Sequence, residues 1–198
     1  MNPDDYKEFQ ILGANLKAIL DGFGSFTLLA SKILLESGLG TVDNDIGMAQ
    51  IVPTTYYPLD RFLTAFLRIG AEFGDFTLRQ VGTHIPKTAT IPPSYRDIFT
   101  AFQTMDAGYH LNHGKNNQPM FDINTGTMID GIGHMTFKPG ATKKSAIMEC
   151  STPYPCAFDE GIVTGLAQRF EPTATVAHDT KGCRKRGHPV CNYNVTWK

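Results

Sequence analysis

The chemistry this chain could perform is concentrated in its last quarter. All four cysteines fall there, Cys150, Cys156, Cys183 and Cys191, and His178 stands five residues before Cys183. Three thiols and one imidazole brought together suit zinc, which favours tetrahedral Cys/His sites. Cys156, His178, Cys183 and Cys191 are the expected ligands, with Cys150 as the alternative to Cys156. Without a tight CxxC pair the spacing also fits small buried hydrophobes. His110, His113 and His134 are further imidazoles, each able to serve as an axial haem ligand. His110 and His113 share a helix face at three-residue spacing. Late histidines also complement a helix dipole, which is their plainer role.

Holding these residues requires particular elements. Thr173 to Lys181 reads as a strand, with Ala174, Val176 and His178 on one face. Arg184 to Pro189 is polar, holds Gly187 and Pro189, and reads as a turn. Val190 to Trp197 alternates again, placing Cys191, Tyr193, Val195 and Trp197 together. Cys183 and Cys191 therefore stand at the two feet of a hairpin. Cys156 precedes a helix whose apolar face is Phe158, Ile162, Leu166 and Phe170, with Gly161 and Gly165 allowing close packing. Upstream, Lys143 to Cys150 reads as a strand and Phe121 to Phe137 as a hairpin around Thr125-Gly126.

The N-terminal half reads as helices. One is expected from Asn2 to Leu20, one from Phe26 to Ser37, one opening at Pro58 and Asp60, and one from Asp75 to before Pro86. Ser94-x-x-Asp97 has the form of a capping box ahead of Tyr95, Ile98, Phe99, Phe102, Met105 and Tyr109. The pattern predicts one α+β domain over residues 1–198. Its helices come first; a four- or five-stranded antiparallel sheet with a crossing helix and a C-terminal hairpin follows.

At Cys156, its helix, His178 and Cys183-x7-Cys191 the chain resembles the vinyl-4-reductase domain family. That family includes sensor regions of aromatic-responsive bacterial transcription activators and is related to subunits of the TRAPP tethering complex. The resemblance spans about the last 45 residues. The segment YPLDRFLTAFLRIGAEFGDFTLRQVG is also similar to the family's long central helix. It implies a vinyl-4-reductase/TRAPP-like fold, a structural zinc on residues 149–198 and a buried ligand pocket. His178 stands where those sensors usually carry glutamate. Haem-based nitric-oxide sensor domains share the superfamily's broad fold, but their Tyr-x-Ser-x-Arg motif is absent here, as is CxxCH.

Composition closes other routes. A net charge of −1 gives no electrostatic case for nucleic-acid binding. Arg184-Lys185-Arg186 reads as a solvated turn. MNPDDYKEF lacks the features of a signal peptide, and no run of eighteen apolar residues occurs. A cytoplasmic setting follows as an expectation, favouring thiols or metal over disulfides. Asp43-Asn44-Asp45-Ile46-Gly47 lacks the twelfth-position glutamate of a calcium loop. No P-loop, GxGxxG, GxSxG or HExxH is present, so no catalytic residue is assigned and a non-enzyme is expected.

Three function classes remain. The first is a sensor for a small apolar or aromatic ligand, held by Phe99, Phe102, Tyr109, His110 and His134. Thirteen Phe and seven Tyr supply the aromatic surface. The second is a haem sensor of gas or redox state, using His110, His113 or His134. The third is a non-catalytic scaffold or dimerisation module. The sequence favours the first, with zinc as the main cofactor and haem second. It would be a homodimer through residues 1–40 that signals to a separate output protein.

Overall fold

The computed structural model describes residues 2–89 and 95–198. Asn2 caps a single 3₁₀ turn, Pro3–Tyr6, by accepting the Asp4 N–H. The chain then extends as β1 (Phe9–Leu12) before α1 (Gly13–Gly22) begins. The continuous helix expected from Asn2 to Leu20 is therefore interrupted. Phe9 and Ile11 are buried because β1 is paired on both edges, a tertiary gain that overrides their helical spacing. Gly13 makes the turn possible, since a Cβ there would lie 2.1 Å from the Val52 carbonyl oxygen.

The helix α2 (Thr27–Glu36) falls where its sequence predicts, and Gly38 follows it at φ +72°. Two-residue strands β2 (Thr41–Val42) and β3 (Ala49–Gln50) make a small ribbon, followed by β4 (Tyr56–Pro58). A long helix, α3 (Leu59–Thr88), is kinked at Gly74, whose φ of +77° only glycine adopts readily. The two helices expected to meet near Asp75 are the two arms of this bent one. Next come α4 (Ile98–Gln103) and α5 (Met105–Leu111). The cap of α4 is a reciprocal pair between Asp97 and Thr100. Ser94, the expected cap, lies outside the described residues.

The chain continues through β5 (His113–Lys115), β6 (Gln118–Pro119), β7 (Met135–Pro139) and β8 (Ser145–Cys150). It ends with α6 (Cys156–Phe170), β9 (Thr175–His178) and β10 (Cys191–Thr196). The α+β class holds, but strands are not confined to the C-terminal half. One antiparallel sheet runs β4-β1-β5-β6 and the other β7-β8-β10-β9. The first was invisible in the sequence because its strands have only two to four residues, too few to show a period. The expected hairpin at 121–137 reduces to a bridge between Phe121 and Met128.

In the second sheet Cys150, Met148 and Ala146 stand opposite Cys191, Tyr193 and Val195, all buried. This face carries one core; α1, α3 and β1 carry a second, and Tyr109 and Ile162 pack against both. Helices α3 and α6 meet backbone to backbone. A Cβ on Gly161 would lie 2.2 Å from the Arg79 carbonyl oxygen, and one on Gly165 2.4 Å from that of Thr83. Gly82 approaches the Phe158 carbonyl in the same way.

Candidate functional site

Where the two cores adjoin, the packing leaves an apolar cleft of about 290 Å³. Its walls are β1 and α1 (Ile11, Ile19), the end of α3 (Ile85), α5 (Met105, Gly108, Tyr109) and α6 (Ile162, Leu166). That volume is at the small end of ligand pockets. Gly108 opens on it, with nothing within 4 Å of where a Cβ would stand. No Lys or Arg lines it among the described residues; the polar groups include Asn15, Asn112, His113 and Tyr154.

His113 faces this cleft from the start of β5. Its Nδ1 is 2.7 Å from the Tyr109 carbonyl oxygen, and its Nε2 is 2.6 Å from the Tyr154 hydroxyl. A carbonyl only accepts, so Nδ1 carries the proton and Nε2 is the lone pair. Burial, and secondarily His110, hold its pKa down at about 4, which keeps the ring neutral.

His110 and His134 lie behind α5, away from the cleft. His110 is fully buried; its Nδ1 bonds the Asp106 carbonyl at 2.9 Å and its Nε2 has no partner. His134 Nδ1 meets Asp106 Oδ2 at 2.8 Å. Burial would raise the Asp106 carboxyl, but its bonds to His110, the Met135 N–H and His134 outweigh this and hold it near 2. Among the five ligand residues expected from sequence, only Tyr109 lines the cleft. Phe102 is buried in the C-terminal core, and Phe99 packs on Phe137 and Trp197.

Cys156, His178, Cys183 and Cys191 converge at the N-terminus of α6, their ligand atoms within 4.8 Å of one another. The sulfurs are 3.3 Å (Cys156–Cys191), 3.7 Å (Cys156–Cys183) and 3.7 Å (Cys183–Cys191) apart. A tetrahedral ion with bonds of about 2.3 Å has ligand edges of about 3.8 Å. His178 Nε2 is buried without a partner. Cys150, facing Cys191 across the sheet, is not part of this group. Burial raises Cys191, yet the Arg184 side chain and backbone N–H bring it down to about 6, while Cys156 is pushed up to about 12, by burial first.

Sequence reasoning missed the groups that join cleft and thiols. Asp159 sits in the first turn of α6, where its charge suggested only a dipole role, but it is fully buried. It pairs with Arg184 and accepts from Thr152 at 2.8 Å. Arg184 also donates from Nε to the Cys191 sulfur at 3.4 Å. The basic run is therefore not wholly solvated; only the structure shows which of its three cations turns inward.

Comparison with protein-family models gives no match, and comparison with curated proteins gives none. Comparison with solved structures defines the fold as that of H-NOX, haem nitric-oxide/oxygen-binding, proteins. A crystal structure of an H-NOX protein from S. oneidensis in the Fe(II)NO state is 15% identical, with a TM-score of 0.65 over 95% of this chain and 99% of that one. The NMR structure of an H-NOX domain from Shewanella oneidensis in the Fe(II)CO state is 13% identical, with a TM-score of 0.60 over 95% and 99%. A third, described as addressing haem redox potential through porphyrin distortion, is 18% identical, with a TM-score of 0.60 over 94% and 100%.

These likenesses correct the vinyl-4-reductase/TRAPP-like assignment and, with it, zinc as the main cofactor. The cysteine pattern belongs to a short clamp between α6 and the terminal hairpin. The helices and strands that fix the fold lie mostly outside it.

Proposed function

We propose that the chain is a non-catalytic sensory domain that binds haem in the cleft and reports a gas or redox signal to a separate output protein. The observation that carries this is an apolar cleft, walled by a neutral histidine, inside a fold shared with H-NOX structures over 95% of the chain. Bound haem iron would supply the position where a diatomic ligand attaches. The residues fit in two respects. Gly108 leaves room on α5 for a flat group, and His113 offers Nε2 with its tautomer fixed by the Tyr109 carbonyl. Tyr154 must release Nε2 for the iron to take it. Among the described residues the walls carry no Lys or Arg that would pair with the acidic groups of haem. The scaffold reading requires a packed interior, and the cleft stands against it.

Two further features complete the reading. Cys156, His178, Cys183 and Cys191 hold a thiophilic metal ion that ties the terminal hairpin to α6. Residues 1–40 supply a homodimer contact, with Phe26, Leu28 and Leu29 exposed on and before α2. A cytoplasmic setting, which keeps thiols reduced, goes with this reading.

The test is hemin titration of purified protein. One equivalent should give a saturating Soret band. His113→Ala should weaken or shift it, and Gly108→Phe should abolish uptake by filling the cleft. A folded wild type that takes up no hemin would overturn the proposal. Loss of the band in His110→Ala with retention in His113→Ala would move the axial role to His110.

A further inference from the structure

We infer that Asp106, His110 and His134 form a second cation site, two imidazoles and one carboxylate, for a first-row divalent metal ion. The three side chains offer ligand atoms within 4.8 Å of one another. The carboxylate turns one oxygen to each ring: Oδ2 is 2.8 Å from His134 Nδ1, and Oδ1 is 3.5 Å from His110 Nδ1. Two ligands about 2.1 Å from one ion stand about 3.0 Å apart at a right angle and about 3.4 Å at a tetrahedral one. The two distances lie just below and just above that range; His110 Nδ1 donates to the Asp106 carbonyl, so its proton must leave before that nitrogen takes an ion.

The scaffold fixes the donors. Asp106 and His110 are one helical turn apart on α5. His134 comes from the segment entering β7, where its backbone N–H donates to Ser151 Oγ at 2.8 Å. Asp106 Oδ1 accepts the Met135 N–H at 2.9 Å, the kind of supporting bond that orients a metal ligand. His110 is the under-satisfied member. It is fully buried and its Nε2 has no partner among the described residues, so the ring gains no second bond from them.

The site is open on one side. The His134 side chain is 39% exposed, and the Asp130 carboxylate lies 3.4 Å from its Nε2 on that side. Imidazole with carboxylate suits iron(II), cobalt(II), nickel(II) and similar ions, unlike the soft thiolates at Cys156. Occupancy would pin α5 to β7, while the opposite face of α5, at Gly108 and Tyr109, lines the cleft. The inference does not depend on haem.

Chelator-stripped, haem-free protein should be titrated with cobalt(II). Thiolate ligation gives intense charge-transfer absorption, whereas nitrogen and oxygen ligation gives only weak visible bands, so the two sites separate spectrally. Two classes of bound cobalt are expected. His134→Gln should weaken the nitrogen/oxygen class about tenfold or more and spare the thiolate class; Cys183→Ser should do the reverse. Because Asp106 also holds a strand, Asp106→Asn is read only alongside a circular dichroism spectrum matching wild type. A wild type showing only thiolate bands, or a His134→Gln protein with unchanged stoichiometry and spectrum, would overturn the inference. Hemin uptake is measured separately, so its failure leaves this result untouched.

Discussion

His113 shows how one residue's environment sets its behaviour. Its folded pKa, about 4, lies below the unfolded value of 6.5. Its contribution to stability is therefore complete above pH 6.5 and is lost as pH falls toward 4. The linked free energy is roughly 3 kcal/mol. Acid titration of the melting temperature of cofactor-free protein should show this loss, and His113→Gln should flatten it. Asp159 and Arg184 present the opposite problem, a pair of charges withdrawn from water. Removing one partner strands the other, so Asp159→Ala should cost about 3–5 kcal/mol in denaturant unfolding. A loss below about 1 kcal/mol would show that water reaches Arg184. Neither role could be read from the sequence. Asp159 and Arg184 lie 25 residues apart in the chain, and neither burial nor pairing leaves a local signature.

Helices and long strands were legible, and their reasons are physical. The apolar stripe of Leu59, Phe62, Leu63, Phe66 and Ile69 is buried as its spacing requires. The alternation of Cys191, Tyr193 and Val195 is buried along β10. What failed was short or conditional on partners. β1 has helical spacing but strand neighbours, and α4 and α5 are two helices where the sequence suggested one. The site was legible in part: the spacing that suggested a Cys156–His178–Cys183–Cys191 group matches residues that converge, whereas the expected ligand face of α5 does not. Tyr109 points to the cleft while His110 points away, because adjacent helical residues diverge by about 100°. Among the elements, the α3–α6 contact makes the sharpest prediction. Gly161→Ala forces a methyl group against the Arg79 carbonyl and should destabilise by about 1–3 kcal/mol. Thermal melting would check it against Gly108→Ala, which has open space at its Cβ and should stabilise by up to about 1 kcal/mol because alanine favours a helix.

At the scale of the whole molecule, an apolar surface lies beside the first helices. Phe26, Leu28, Leu29 and Phe76 are all exposed, and Phe26 packs at a tilt on Phe73, 5.0 Å between ring centroids. Sedimentation should reveal a dimer that Leu28→Glu with Leu29→Glu dissociates. A monomer mass independent of concentration would remove the dimer from the reading.

The glycine contact between α3 and α6 also governs how the cleft can breathe. Two helices whose backbones already touch cannot be pressed closer, and the interlocked carbonyls at Arg79, Thr83 and Phe158 resist sliding. They act as the spine of a book. A guest larger than 290 Å³ would have to gain its room from the other walls, α1 and α5 among them. Of these two helices, α5 also carries the Asp106–His110 pair.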